Sequence, residues 1–237
     1  MDKLIFTELK KTNFEDLLKN KNERVILNFF NLHDLYQFNN LKVFKESVSN
    51  KPNINCIDGS LIKNYFSLRY LRKVKQVRGT DFTKSFLDLK IVKNKKHFFI
   101  GNVGLREFSK KTKIPEKNLR TYNPPFIKNL IFSEEELKKI SSLIKKFSPD
   151  FVWVGIGCPK QNILTEELFK RTSVKFFFNV GAALDFLLGK KSEAPKFWRT
   201  ISLEWLYRLI TDFKHSRKKV WRHFLGLRYL NSIELRR

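Results

Sequence analysis

Residues 151–161 read FVWVGIGCPKQ, and residues 176–189 read FFFNVGAALDFLLG. Each is a short apolar run that ends in a glycine-bearing turn, and each turn opens a pattern of helical spacing. A strand that passes through a glycine turn into a helix is the repeating unit of an α/β protein. Such turns can bring backbone N–H groups, and the positive end of the following helix, to a phosphate. Residues 190–210, KKSEAPKFWRTISLEWLYRLI, then set a basic, tryptophan-bearing helical pattern directly behind the second unit. The stretch reads as two turns suited to a nucleotide-linked ligand, followed by a helix suited to a membrane surface.

The same alternation extends upstream. Residues 3–8 form a short strand candidate, and Thr12 with Glu15 makes a capping-box signature before a short helix. Arg24–Phe30 (RVILNFF) reads as a buried strand leading into a helical segment from Asn31. Ile54–Ile57 ends in Asp58-Gly59 and is followed by SLIKNYFSLRYL at helical spacing. Ligands of open α/β sheets bind beyond the carboxyl ends of strands, so that position raises Asp58 above an ordinary turn residue. Thr80 is a candidate N-cap, with Arg78 just ahead of it. HFFIG (97–101) and LRTY (119–122) are further strands, the second running into the rigid loop NPPF (123–126). Ser133 and Glu136 open the clearest helix, acidic at its start and lysine-rich at its end. The fold expected is α/β: a Rossmann-like, mostly parallel sheet flanked by helices, with a basic C-terminal helical appendage. The division expected is a core over 1–190 and a membrane-associating appendage over 191–237.

Composition narrows the partners. Lys+Arg number 48 against Asp+Glu 23, a formal charge of +25, which attracts nucleic acid, anionic lipid or phosphorylated small molecules. Two cysteines, Cys56 and Cys158, exclude a disulfide scaffold and fit a reducing compartment. The start, MDKLIFTELKK, carries Asp2 and too short an apolar run for a signal peptide. No window reaches eighteen consecutive apolar residues, so any membrane contact is expected to be peripheral.

From spacing alone, GIGCPKQ offers Gly155 and Gly157 for close backbone approach and Pro159 for the first helical turn. Lys160 adds a cation and Gln161 an amide. This is neither a GxGxxG nor a P-loop, and structural glycines would satisfy the same pattern. In context the pattern is specific. VGIGCPKQ followed by NVGAALDFLLGKKSEAPKFWRTISLEWLYRLI closely resembles the WecG/TagA/CpsF family of bacterial glycosyltransferases. Asn31, CIDG around Asp58, RGTD from Arg78 to Asp81, FIGN from Phe99 to Asn102, and the PPF loop fall in the family's order.

The resemblance implies an inverting, metal-independent transfer of a sugar from a UDP-sugar to a polyprenyl-diphosphate-linked saccharide for a cell-surface polymer, by a cytoplasmic protein peripheral on the inner face of the cell membrane. The sugar would be of N-acetylmannosamine type, its uronic acid, or glucose. It also implies that Asp58 is the general base. A substrate-binding set is carried over with it: Asn31, Gly59, Arg78, Asp81, Gly101, Asn102, Gly155, Gly157, Pro159, Lys160, Gln161, Gly181, Asp185 and Arg208. Transfer of this kind needs a base for the acceptor hydroxyl and positive charge or N–H groups for the departing diphosphate. Without a metal ion or other cofactor, backbone and cationic side chains must serve that second need. A homo-oligomer is left open.

Several positions depart from the family pattern. Phe29 stands where a threonine is usual, Gln76 where arginine or lysine is frequent, Asn162 where glutamate is usual, Asp212-Phe213 replaces Glu-Pro, and His215 replaces an arginine. Phe29 motivates a rival reading, a non-catalytic sugar-nucleotide-binding or scaffold subunit. His33 lies two residues past Asn31, where a helix-start histidine with a packing role is the simpler reading. For the appendage, basic residues beside Trp198, Trp205 and Trp221 fit an interfacial helix on anionic lipid. No nucleic-acid module is recognisable, so nucleic acid is not expected as a partner. Trp198 and Trp205 are expected to pack partly on the core, and Lys214–Arg222 to meet lipid.

Overall fold

The strand-forming runs are short and apolar at nearly every position rather than alternating. VILNFF, HFFI, FVWV and FFFN are each buried along their whole length. Strands buried on both faces belong to the interior of a parallel sheet with helices on either side. The computed structural model of the protein, which describes residues 3–8, 18, 23–49, 52–200, 203–211 and 213–236, has that architecture. Among the described residues, eight strands form one sheet: β1 (Leu4–Phe6), β2 (Val25–Phe30), β3 (Asn53–Ile57), β4 (His97–Ile100), β5 (Leu119–Tyr122), β6 (Phe151–Val154), β7 (Phe176–Asn179) and β8 (Ile233–Leu235). Their order is β5-β4-β6-β7-β2-β3-β1-β8, and every recorded pairing is parallel. The Thr12 and Glu15 capping box expected before a short helix lies outside the described residues.

One face of the sheet is an aromatic core. Phe29, Phe99, Phe151, Trp153, Phe176 and Phe178 pack beneath Phe82, Phe86 and the 183–188 segment. On the other face, helices Glu134–Phe147 and Lys160–Arg171 cover Ile26, Phe98, Val152 and Phe177, while helices Leu32–Asn40, Lys42–Ser49 and Ser60–Arg69 cover Phe6, Phe30 and Ile57.

Asparagines interrupt that second face. Asn28 Nδ2 donates to Asn53 Oδ1 and Asn55 Oδ1, both at 2.9 Å, and its Oδ1 accepts from Asn162 Nδ2 at 2.8 Å and Asn179 Nδ2 at 2.7 Å. Thr165 Oγ1 donates to Asn179 Oδ1 at 2.6 Å. The ladder ties β2, β3 and β7 to the 160–171 helix through groups that are nearly all buried. It also accounts for Asn162: a glutamate, which only accepts when ionised, could not donate to Asn28.

Local chemistry sets the element boundaries with three departures from the sequence reading. Ser133 accepts the Glu136 N–H at 3.2 Å as an N-cap, but the Glu136 carboxylate turns to the Tyr122 hydroxyl at 2.6 Å. Thr80 is not a cap: the helix Gly79–Leu87 begins after Arg78, and Thr80 sits inside its first turn. The helical pattern of residues 190–210, read as one helix, is divided between helices Lys196–Thr200 and Glu204–Thr211, and Phe213 opens a third, Phe213–Gly226.

That third helix packs on Leu32–Asn40, with Val220 buried between them. Gly226 makes the approach feasible, since a Cβ there would fall 2.0 Å from the Leu32 carbonyl oxygen. The chain then pairs β8 with β1, Leu4 opposite Ile233 and Phe6 opposite Leu235. No helix among the described residues is long and apolar enough to cross a membrane.

Candidate functional site

β4, β6, β7, β2 and β3 are consecutive neighbours, and each delivers one of the singled-out residues at its carboxyl end. They are Gly101, Gly155, Gly181, Asn31 and Asp58 in that order across the sheet. Between β4 and β6 the connections leave in opposite directions, β4 toward β5 and β6 toward β7, which opens a crevice at the sheet edge. From β6 to β3 is three interstrand steps, so the glycine turns and Asp58 stand roughly 14 Å apart. That span suits an extended ligand with a phosphate at one end and a reacting centre at the other.

At the glycine end, close packing selects the residues. A Cβ on Gly155 would meet the Gly181 oxygen at 3.0 Å and Leu184 at 3.1 Å, and one on Gly101 would meet the Gly155 oxygen at 3.4 Å. Gly101, Gly157 and Gly181 also have positive φ, of 140°, 92° and 55°. Their N–H groups are already spoken for. Gly155 donates to Ile100, Gly181 to Val154 and Gly101 to Tyr122, while Gly157 donates to Gln161 Oε1 at 3.1 Å. The glycines therefore supply clearance rather than free donors, and the space beside Gly157 is open. Buried Gln161 bridges the two turns, with its amide also facing Gly181. Pro159, joined to Cys158 by a cis peptide bond, is the N-cap of the helix rather than its first residue. Lys160 is committed elsewhere: its ammonium bonds the Ile127 carbonyl and lies over the Phe126 ring.

At the other end, the β2 and β3 turns touch. A Cβ on Gly59 would lie 3.1 Å from Asn31 Cα, and the Asp58 and Gly59 N–H groups both donate to the Phe30 carbonyl. Asn31 caps helix Leu32–Asn40 by accepting the His33 N–H at 2.9 Å, and Asp34 Oδ2 accepts the Asn31 N–H at 2.9 Å. The Asn31 carbonyl is thereby consumed, which leaves its NH₂ for a ligand. His33 is buried, with its ring between Asp34 and Gln37, the packing role expected of it.

Asp58 is half-buried and hydrogen-bonded. Its Oδ1 accepts the Gly79 N–H at 3.2 Å, and its own carbonyl accepts from Gln76 Nε2. Burial pushes its pKa up to about 6; Arg78 and the Gly79 N–H pull down, while the Glu204 and Asp34 carboxylates push up. A carboxyl poised near neutrality in a polar cleft is what proton abstraction requires. Asp34 goes the other way. Burial alone would raise it, but His33, the Asn31 N–H and Lys219 hold it below the ordinary carboxylate range.

Arg78 is held by carboxylates. Asp81 lies at 3.5 Å, Glu193 at 3.3 Å and Glu204 at 3.7 Å, and Glu193 also pairs with Lys84 at 2.5 Å. Asp185 pairs with Lys191 at 2.6 Å, and the Asn102 carbonyl accepts from Lys190 at 2.8 Å. Arg208 lies on helix Glu204–Thr211, but its side chain is outside what the structure describes. Phe29 faces the aromatic core, its ring 5.0 Å from Phe82 and against Gly79. Sequence reasoning missed Glu193 and Glu204, which reach Arg78 through contacts that no local spacing encodes, and Asp34, which the Asn-x-x-Asp capping spacing from Asn31 could have found. Among the described residues no group of three or more His, Cys, Asp or Glu side chains could hold a metal ion.

The model of the glycosyl transferase WecG/TagA/CpsF family matches residues 3–235. Relatives include N-acetylglucosaminyldiphosphoundecaprenol N-acetyl-beta-D-mannosaminyltransferases of Staphylococcus aureus. Those of strains NCTC 8325 / PS 47 and COL are 40% identical over 73 residues, and that of strain MRSA252 is 38% identical over the same length. The matched segment is 30% of this chain and spans 28% of the length of those relatives.

Proposed function

The chain belongs to the glycosyl transferase WecG/TagA/CpsF family, and on that premise we propose that it transfers a sugar of N-acetylmannosamine type from a UDP-sugar to a polyprenyl-diphosphate-linked N-acetylglucosamine. The observation that carries this reading is the row of residues at the carboxyl edge: cleared glycine turns on β4, β6 and β7, and a near-neutral carboxyl on β3, three strands from β6.

The donor's diphosphate occupies the open space beside Gly157, at the positive end of the twelve-residue helix Lys160–Arg171. Gln161 fixes the two turns against each other, and the amide of Asn31 donates to the sugar. Asp58 accepts the proton of the attacking acceptor hydroxyl as the anomeric carbon loses the diphosphate, and the pull of Arg78 keeps enough of it ionised at neutral pH. Arg78 itself orders the cleft by tying the RGTD turn to Glu193 and Glu204. Arg208, on the same helix as Glu204, adds positive charge for the leaving group. Because substrate and product are lipid-linked, the enzyme works at a membrane surface as a peripheral protein, with its basic C-terminal helices toward anionic lipid.

A thermal-shift series with UDP and UDP-sugars tests the donor half, because a ligand that binds the folded state raises its melting temperature. UDP-N-acetylmannosamine is expected to raise it more than UDP alone. No response to any UDP-sugar would remove the donor assignment.

A further inference from the structure

Phenylalanine is this protein's main core residue, and its exposed copies are few and localised. Among the described residues the exposed ones are Phe126, Phe197, Phe213 and Phe224, so Phe126 alone lies outside the C-terminal helices. It is 88% exposed, yet the loop that carries it is firmly held. Pro124 and Pro125 restrict the backbone ahead of it. Ile127 packs against the cluster beneath helices Glu134–Phe147 and Lys160–Arg171, and Leu130 packs against the cluster around Phe30 and Leu35. Lys160 bonds the Ile127 carbonyl and places its ammonium 5.0 Å from the Phe126 ring centroid. A loop whose backbone two prolines restrict just before an exposed aromatic, and whose packing pins it just after, is preorganised for an apolar partner.

Position and charge indicate which partner. The loop leaves the carboxyl end of β5, the sheet edge that carries Asp58 and the glycine turns. Across the 157–160 turn stands helix Phe213–Gly226, close enough for Lys219 to act on both Cys158 and Asp34. Residues 121–132 contain no acidic side chain and contribute Lys128, and residues 213–226 contain none either. Two aromatic, purely basic elements thus flank one turn. Stacking bases would need a platform of aromatic faces, whereas one projecting Phe ringed by cations matches a bilayer interface.

We propose that the 123–132 loop is a second membrane-contacting element, with Phe126 inserting into an anionic bilayer beside the basic C-terminal helices. This rests on the membrane-peripheral reading given above and adds a fixed point to it. Two contacts on either side of the cleft set the orientation of the sheet edge to the lipid surface, which one helix could not do.

The test is co-sedimentation of the full chain with vesicles of phosphatidylcholine alone or with phosphatidylglycerol, for the wild type, Phe126→Ser and Leu68→Ser. Leu68 is 77% exposed on the helix that leads away from Asp58, so its replacement is a matched control. Wild-type binding to the anionic vesicles is expected, falling about tenfold in Phe126→Ser, within the worth of burying one Phe side chain. Leu68→Ser is expected to bind like the wild type. Anionic-vesicle binding that is identical in Phe126→Ser overturns the role of the loop while leaving a peripheral enzyme intact. Absence of wild-type binding to either vesicle overturns both. Sedimentation velocity gives the remaining outcome: self-association that Phe126→Ser abolishes, with vesicle binding unchanged, would assign the loop to a second copy of the chain and reject the lipid.

Discussion

The carboxylate of Asp58 accepts the backbone N–H of Gly79 at 3.2 Å, which joins the end of β3 to the first turn of the Gly79–Leu87 helix. That bond holds the acid in the cleft without neutralising it, and burial leaves its pKa near 6. Asp58, as the base proposed above, must be ionised to act, so kcat/KM should rise with pH through about 6 and level off above it. A pH–rate profile of the wild type, with an acid limb in that region, is the check.

The same shift has a stability cost of predictable sign. The folded pKa is raised above the ordinary carboxylate value, so the folded state holds the proton more tightly. Stability from this group is fully present below about pH 3.9 and is lost as pH rises through about 6. Asp58→Asn removes the buried charge. After allowance for partial exposure it should stabilise the protein by about 1–2 kcal/mol at pH 7.5, and by nearly nothing near pH 3.5. Urea unfolding at the two pH values measures the difference.

Asp34 raises the pKa of Asp58, so removing its charge should lower it. In Asp34→Asn the amide oxygen can still accept the Asn31 N–H, and the turn is retained. The acid limb of the pH–rate profile should move to lower pH, by about half a unit for a carboxylate at this remove. An unmoved limb would show that the two carboxylates are not coupled.

The seat of the C-terminal helix depends on a missing methyl group. Gly226→Ala would place a Cβ 2.0 Å from the Leu32 carbonyl oxygen, a backbone atom that cannot swing aside. The expected loss is about 2–4 kcal/mol, from separation of helix Phe213–Gly226 from helix Leu32–Asn40. Denaturant titration gives the loss, and hydrogen exchange over 213–235 would show where it falls.

Much of the sheet was legible in the sequence because its strands are apolar on both faces and end in glycine, aspartate or asparagine. β2, β3, β4, β6 and β7 came from that pattern, while β1 and β5 were read as short strands without it. The eighth, IEL at 233–235, was not read as a strand: its pairing is with Leu4–Phe6, more than two hundred residues away in sequence. Local sequence also placed Asp58, Asn31, Gly155 and Gly181 at strand ends. It could not see that Lys160 serves the 123–132 loop, or that Arg78 is gripped by Glu193 and Glu204 from more than a hundred residues away. Phe29 is the instructive departure. Its ring belongs to the aromatic core against Phe82, so it alters the floor of the site from below.

Asn28 offers a test of the buried ladder. It partners four asparagines, and Asn28→Ala would leave their amides without those bonds in a dry interior. A loss of about 3 kcal/mol or more is expected, well beyond a surface Asn→Ala change, and equilibrium unfolding would measure it.

Whether Asp58 is the base of a sugar transfer is decided by UDP release from wild type and Asp58→Asn, with a polyprenyl-diphosphate-linked N-acetylglucosamine acceptor and UDP-N-acetylmannosamine, alongside donor binding by calorimetry. Turnover in Asp58→Asn is expected to fall by about 10²–10⁴ with donor affinity retained. Turnover equal to that of the wild type would rule Asp58 out as the base.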